Sequence, residues 1–166
     1  MKYAVAFASV TGNTKLIGET IAETLAPEEC IYCGALDVDK IKEADIVFVG
    51  FWTSRSSCSP DVTEFLSQVH NKKIALFGTC GFGGDSYYQH VLNLVKESIN
   101  DDCTCLDAFI CQGKMPAAVR KKYESKMDSE PEKMKMMIEN FDRALSHPDE
   151  NDVNAARAFA EKIKAL

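Results

Sequence analysis

The residues of this chain whose types and order best suit chemistry are Ser9, Val10, Thr11, Gly12, Asn13 and Thr14. They follow MKYAVAFA, a short apolar run that reads as a buried parallel strand. They precede Leu16, Ile17, Ile21 and Leu25, apolar positions at helical spacing. A strand feeding a helix through such a turn aims several backbone N–H groups, and the positive end of a helix dipole, at one point. Ser9, Thr11, Asn13 and Thr14 add side-chain donors there, which makes the turn a seat for a phosphate. The same stretch also reads as a capping turn with no ligand, although it carries more polar donors than a cap uses. No Arg or Lys lies within it, so a bound dianion would rest on neutral donors. Lys15, the nearest cation, belongs to the solvated start of the helix.

Two further stretches carry the residues for the rest of a site. Residues 51–59 follow a third apolar run and include the only tryptophan, Trp52, with Thr53 beside it. Residues 78–88 follow a fourth run and contain Thr79, Cys80, Gly81, Phe82 and Gly83. The glycines allow backbone N–H groups to approach a flat polar ring edge. Trp52 and Phe82, one from each loop, can sandwich such a ring, which needs two apolar faces and one hydrogen-bonding edge. Trp52 taken alone reads equally as a core or surface aromatic. No nucleophile–base pair or metal-ligand cluster is visible; His70, His90 and His147 are scattered, and Asp61 and Asp85 read as solvated loop carboxylates.

The elements that must position these loops alternate. Strands are expected at residues 1–8, 30–33, 45–50, 73–78 and 103–111. Helices are expected after the first turn, at residues 61–69 behind Ser59 and Pro60, and from Asp85 or Ser86 through Val91, Leu92, Val95 and Ile99. Such alternation gives a parallel sheet with helices on both faces, a three-layer α/β sandwich. Five strands in a chain of this length suggest the order 2-1-3-4-5, with ligands bound beyond the carboxyl ends of the strands at the switch between strands one and three. The remaining third adds helices at residues 116–127 and 132–145. A last packing helix, residues 149–165, is capped by Asp149 and buries Val153, Ala156, Ala160 and Ile163. The segment 114–146 is then a helical insertion in a single domain spanning residues 1–166. Its Met127, Met134, Met136 and Met137 read as core packing, or as an adaptable partner surface.

The turn lacks G-x-x-x-x-G-K-[ST] and G-x-G-x-x-G, so neither a triphosphatase loop nor a dinucleotide fingerprint is present. S-x-T-G-N-T instead resembles the loop that holds the phosphate of flavin mononucleotide (FMN) in flavodoxins. G-x-x-G-aromatic-G from Gly78 resembles their second ring loop. The resemblance covers residues 1 to about 113. It implies the flavodoxin fold, FMN as cofactor, phosphate at Ser9–Thr14, ring faces at Trp52 and Phe82, and electron transfer between redox partner proteins. Two departures stand out. Many flavodoxins have a glycine after the first ring-facing residue, where the backbone bonds the half-reduced ring; residues 53–59 hold none, so φ > 0 is costlier there. Arg55 stands where the family tends to be acidic. GFW after strand three, CQGK after strand five and SHPDE before the last helix are similar to one flavodoxin subgroup of gut-type anaerobes, some of which accompany a bilirubin reductase.

Composition bounds the rest. A net charge of −6 argues against a nucleic-acid surface, and no stretch is apolar enough to span a membrane. Seven cysteines without metal-type spacing read as reduced thiols of a cytoplasmic protein. Cys30-x-x-Cys33 lies within a strand, where residues three apart point to opposite faces, so it is no redox dithiol. The expectation is an FMN-binding electron carrier; the alternative is an FMN-dependent NAD(P)H quinone-type reductase. A flavin-free phosphate-receiving module lacks its aspartates, because Ala8-Ser9 and Gly50-Phe51 occupy their places.

Overall fold

The computed structural model describes residues 1–166. Its elements, in order, are β1 (Tyr3–Phe7), α1 (Asn13–Thr24), β2 (Cys30–Ala35), β3 (Ile46–Ser54), β4 (Ser57–Cys58), α2 (Pro60–Ser67), β5 (Lys73–Cys80), α3 (Asp85–Lys96), β6 (Thr104–Gln112), α4 (Ala117–Glu124), α5 (Pro131–Ala144) and α6 (Glu150–Lys164). The parallel sheet runs β2-β1-β3-β5-β6, with β4 paired antiparallel to β3 alone. With β4 set aside, this is the 2-1-3-4-5 order that the alternating pattern implies.

Alternate residues of each strand feed opposite faces. Ala4, Ala6, Val47, Val49, Ile74 and Leu76 pack with Val62, Phe65 and Leu66 of α2 and with Val91, Leu92 and Val95 of α3. Tyr3, Val5, Phe7, Phe48 and Phe77 pack with Ile17 and Ile21 of α1 and with Ala156, Phe159, Ala160 and Ile163 of α6. Leu16, expected on the buried stripe of the first helix, is 41% exposed. Phe48 is fully buried and meets Phe159 edge-on, with ring centroids 6.0 Å apart.

The third strand does not stop at Gly50 as expected; it continues to Ser54. The reason is a reciprocal fit with β5, in which Gly50 lies opposite Phe77 and Phe51 opposite Gly78. A Cβ on Gly50 would enter the Phe77 ring, and one on Gly78 would enter the Phe51 ring. Each bare glycine therefore seats its neighbour's aromatic ring, and the ladder extends to Trp52 opposite Thr79. Beyond it the chain turns through Arg55 (φ 50°) and Ser56 (φ 66°) into β4. Positive φ is thus adopted without a glycine. Both central residues of a two-residue hairpin take it when the turn must match the strand twist.

Ser59 occupies the position before α2, but its hydroxyl donates to the Asp61 carboxylate instead of capping a backbone N–H. Asp149 caps α6 as expected, in a reciprocal box. Its carboxylate accepts from the Asp152 N–H at 3.0 Å, while the Asp152 carboxylate accepts from the Asp149 N–H at 2.8 Å. Within residues 114–146, α4 and α5 pack on each other, and α5 buries Met134, Phe141 and Ala144. Met136 is exposed.

Phe48→Ala is expected to cost about 3–5 kcal/mol, read from urea unfolding, because it empties the junction of sheet and α6. The bond from the Asp152 N–H holds the Asp149 carboxyl below its ordinary value. Its contribution is therefore complete above that value, near 3.8, and is lost as pH falls through the lower folded-state value. The stability gap between wild type and Asp149→Asn is expected to narrow as unfolding is measured from pH 6 down to pH 3.

Candidate functional site

The turn after β1 is shaped by Gly12, at φ 89°, which aims the start of α1 outward. The backbone N–H groups of Val10, Thr11, Gly12, Asn13 and Thr14 donate to no protein acceptor, and that of Lys15 goes to Ser9 Oγ at 3.2 Å. Thr11 is exposed, and its hydroxyl makes no bond within the protein. This is the donor cluster of an anion seat. Two of the expected side-chain donors are turned elsewhere. Asn13 Nδ2 donates to the Lys114 carbonyl at 2.8 Å, and the buried Thr14 hydroxyl pairs with Thr79 Oγ1 at 2.8 Å. Asn13 fastens the turn to the loop after β6 and Thr14 fastens it to β5, so each faces inward while its backbone N–H stays free.

Beside the seat lies a cavity of about 260 Å³. Val10, Thr11, Trp52, Thr53, Thr79, Cys80 and Gly81 line one part of it, and Met115, Pro116 and Val119 line another. Trp52 lines this cavity and Phe82 does not: Phe82 packs edge-on against Tyr87, with centroids 6.0 Å apart, and lines a separate surface hollow with residues 83–87. Met115 takes the second wall. Bare Gly81 makes room for it, since a Cβ there would lie 2.5 Å from the Met115 sulfur. Tyr87 is linked in turn to the β3–β4 turn through Ser56 Oγ, 3.1 Å from its hydroxyl.

The backbone of residues 79–83 is less free than expected. The Thr79 carbonyl accepts from the Thr53 hydroxyl at 2.9 Å, and the Cys80 carbonyl accepts from the Gly113 N–H at 2.9 Å. Gly81 O accepts from Gln112 Nε2 and Asn140 Nδ2, and the Gly83 N–H donates to Asn140 Oδ1. The Phe82 N–H bonds the Cys80 sulfur, and the Gly81 N–H has no backbone acceptor. Burial pushes the Cys80 thiol above its ordinary value, as it does for Cys111. Both stay neutral at physiological pH, which suits walls and not nucleophiles.

Trp52 and Val10 also border a broader groove of about 930 Å³, lined by Asp37, Asp39, Asp61 and Glu64 against Lys15 and Lys42. Lys42 is held by Asp39 at 2.5 Å, and Lys15 pairs with Glu19 at 3.7 Å. On the outer side of the seat, Lys114 and His147 line a hollow of about 390 Å³ with Thr11, Gly12 and Asn13. Lys114 also borders the 260 Å³ cavity, and its ammonium has no ion-pair partner. Sequence reasoning did not single out Lys114, Met115, Val119 or Asn140. The readable signal was Asn140, a polar residue on the same helical stripe as Met134, Met137, Phe141 and Ala144.

A family model described as a flavodoxin domain matches residues 4–161. The chain is similar to the flavodoxin-like domain-containing protein BilS of Clostridioides difficile (strain CD3). Those two are 34% identical over 173 residues, covering 98% of this chain and 96% of that one. It is likewise similar to BilS of Clostridium symbiosum (strain WAL-14163), at 31% over 178 residues, covering 96% and 94%. Among solved structures, oxidised flavodoxin 2 from Bacillus cereus superposes with a TM-score of 0.61 at 18% identity, covering 98% of this chain and 99% of that one.

Thr14→Val keeps the shape of the side chain but strands the Thr79 hydroxyl. It is expected to lower stability by about 1–3 kcal/mol in chemical denaturation, whereas Thr14→Ser stays near wild type.

Proposed function

This chain belongs to the flavodoxin domain family, and from that membership we propose that it binds FMN and carries electrons between redox partner proteins. The observation that carries the reading is the row of unpaired N–H groups from Val10 to Thr14 opening onto a cavity walled by Trp52. FMN supplies the redox chemistry; the protein supplies binding and sets potentials. Val10, Gly12, Asn13 and Thr14 hold the phosphate by backbone N–H, while Ser9 shapes the turn and Thr11 adds its hydroxyl. Lys114, unpaired beside the turn, adds the cation that the turn itself lacks. Trp52 covers one face of the ring and Met115 stands at the other, in the place first assigned to Phe82. Thr53, Thr79 and Cys80 fix the wall, while Gly81 offers its N–H donor at the edge.

The carboxylates of the neighbouring groove and the net charge of −6 disfavour an added negative charge on the ring, which lowers the potential of full reduction. The same carboxylates repel the phosphates of a nicotinamide nucleotide, which supports a carrier over an NAD(P)H reductase. No helix is long and apolar enough to cross a membrane, and all seven cysteines are free. We place the protein in the cytoplasm. The likeness to flavodoxins that accompany a bilirubin reductase makes such an enzyme the first acceptor to test.

Protein loaded with FMN and stripped of excess is expected to retain stoichiometric flavin with quenched fluorescence. No retained flavin would overturn the reading. A Cβ on Gly12 meets nothing within 4 Å, so Gly12→Ala isolates the cost of its positive φ. That variant is expected to bind FMN roughly tenfold more weakly. Loaded wild type is expected to show almost no steady-state turnover of NADH or NADPH with a quinone; sustained turnover would favour the reductase.

A further inference from the structure

Asn140 lies on the buried stripe of α5 and is 2% exposed. Its amide bonds nothing in its own helix or in α4. It reaches across to the loop that ends β5, where Nδ2 donates to Gly81 O at 3.0 Å and Oδ1 accepts from the Gly83 N–H at 3.2 Å. Gln112, at the end of β6, closes the set, with Nε2 donating to Gly81 O at 3.1 Å and to Asn140 Oδ1 at 3.2 Å. An amide that pairs with a carbonyl and with the N–H two residues on acts as a strand neighbour would, and fixes the peptides between them. Leucine would fill the same volume without reaching either group.

The loop needs such a partner. Gly81, Gly83 and Gly84 follow one another closely, and Gly84 sits at φ 139°. Left alone, so much glycine would have to be ordered by the ligand, at a cost to affinity. Gly83 also admits the clamp sterically, because a Cβ there would lie 3.2 Å from the Gln112 amide. The same part of the chain closes the cavity with Met115, Pro116 and Val119.

We propose that Asn140 is a positioning residue of the flavin site, through which the α4–α5 segment holds Gly81–Gly83 in the binding conformation before the cofactor arrives. This rests on the FMN reading given above. It assigns the inserted segment to the site and not to a docking partner.

Amide exchange in the flavin-free protein, read with FMN affinity, tests it. In Asn140→Ala the Gly83 amide is expected to exchange at least about tenfold faster, and FMN to bind about tenfold more weakly. Asn140→Asp keeps the acceptor and loses the donor. Its Gly83 amide is expected to stay protected while FMN binding still weakens, and this variant decides the matter where Asn140→Ala does not fold. Met134→Ala, which removes a buried apolar side chain of the same helix, is expected to lower stability while leaving Gly83 exchange and FMN affinity near wild type. Unchanged Gly83 exchange in Asn140→Ala would overturn the clamp. Faster exchange with unchanged FMN affinity would overturn its link to the cofactor. If the wild type retains no flavin, the functional reading falls and the exchange comparison alone decides the clamp.

Discussion

The site depends on how closely β3 and β5 approach at their carboxyl ends. Gly50 lies under the Phe77 ring and Gly78 under the Phe51 ring, so two aromatic side chains are accommodated across one strand pair on opposite faces of the sheet. Either glycine with a side chain would push the strands apart or turn a ring out of the core. Because the fit holds, β3 stays in the ladder past the core and delivers Trp52 to the rim opposite Thr79, with the Thr53 hydroxyl bonded to the Thr79 carbonyl. The cavity wall is therefore a continuation of sheet packing. Rigid strands, and not free loops, set the spacing between its tryptophan and the Thr79–Gly81 backbone.

The turn after β1 is fastened by the same logic at longer range. Asn13 is bound to the Lys114 carbonyl, and Thr14 to Thr79. Lys114 in turn donates its N–H to the His147 carbonyl at 2.9 Å, next to the cap of α6. The row of free backbone donors is held in place at its helical end, where Asn13 and Thr14 are anchored below. An anion seat made of backbone N–H groups needs this rigidity, since neutral donors offset the loss of phosphate hydration only when they are already aimed.

What could be read from the sequence follows from range. The sheet order, the turn at Ser9–Thr14, the Asp149 cap and the place of Trp52 all rest on local periodicity or on motifs within a few residues, and each could be read directly. From sequence, Phe82 reads as a ring wall because it sits in the second glycine-rich loop. Whether it or Met115 reaches the cavity depends on Tyr87 drawing Phe82 away and on Gly81 admitting a residue that follows β6. Neither contact leaves a local trace. The inward turn of Asn13 is likewise decided by a carbonyl more than a hundred residues along the chain. At Arg55 and Ser56 the sequence rule on glycine was outweighed by hairpin geometry, whose twist demands positive φ whichever residues are present.

The covering of Phe48 by Phe159 also has a meaning in time. During synthesis β1 and β3 leave the ribosome well before α6, the helix that shields one face of them and lies about a hundred residues further along the chain. At elongation rates of about 5–20 residues per second, the interval between Phe48 and Ile163 is roughly 6–23 seconds. Through that interval the nascent sheet shows Tyr3, Phe48 and Phe77 on a face only partly covered by α1. Such a surface suits chaperone capture and invites association between neighbouring nascent chains on one messenger. Arrival of α6 closes the window, so this core is completed only when the last helix of the domain docks.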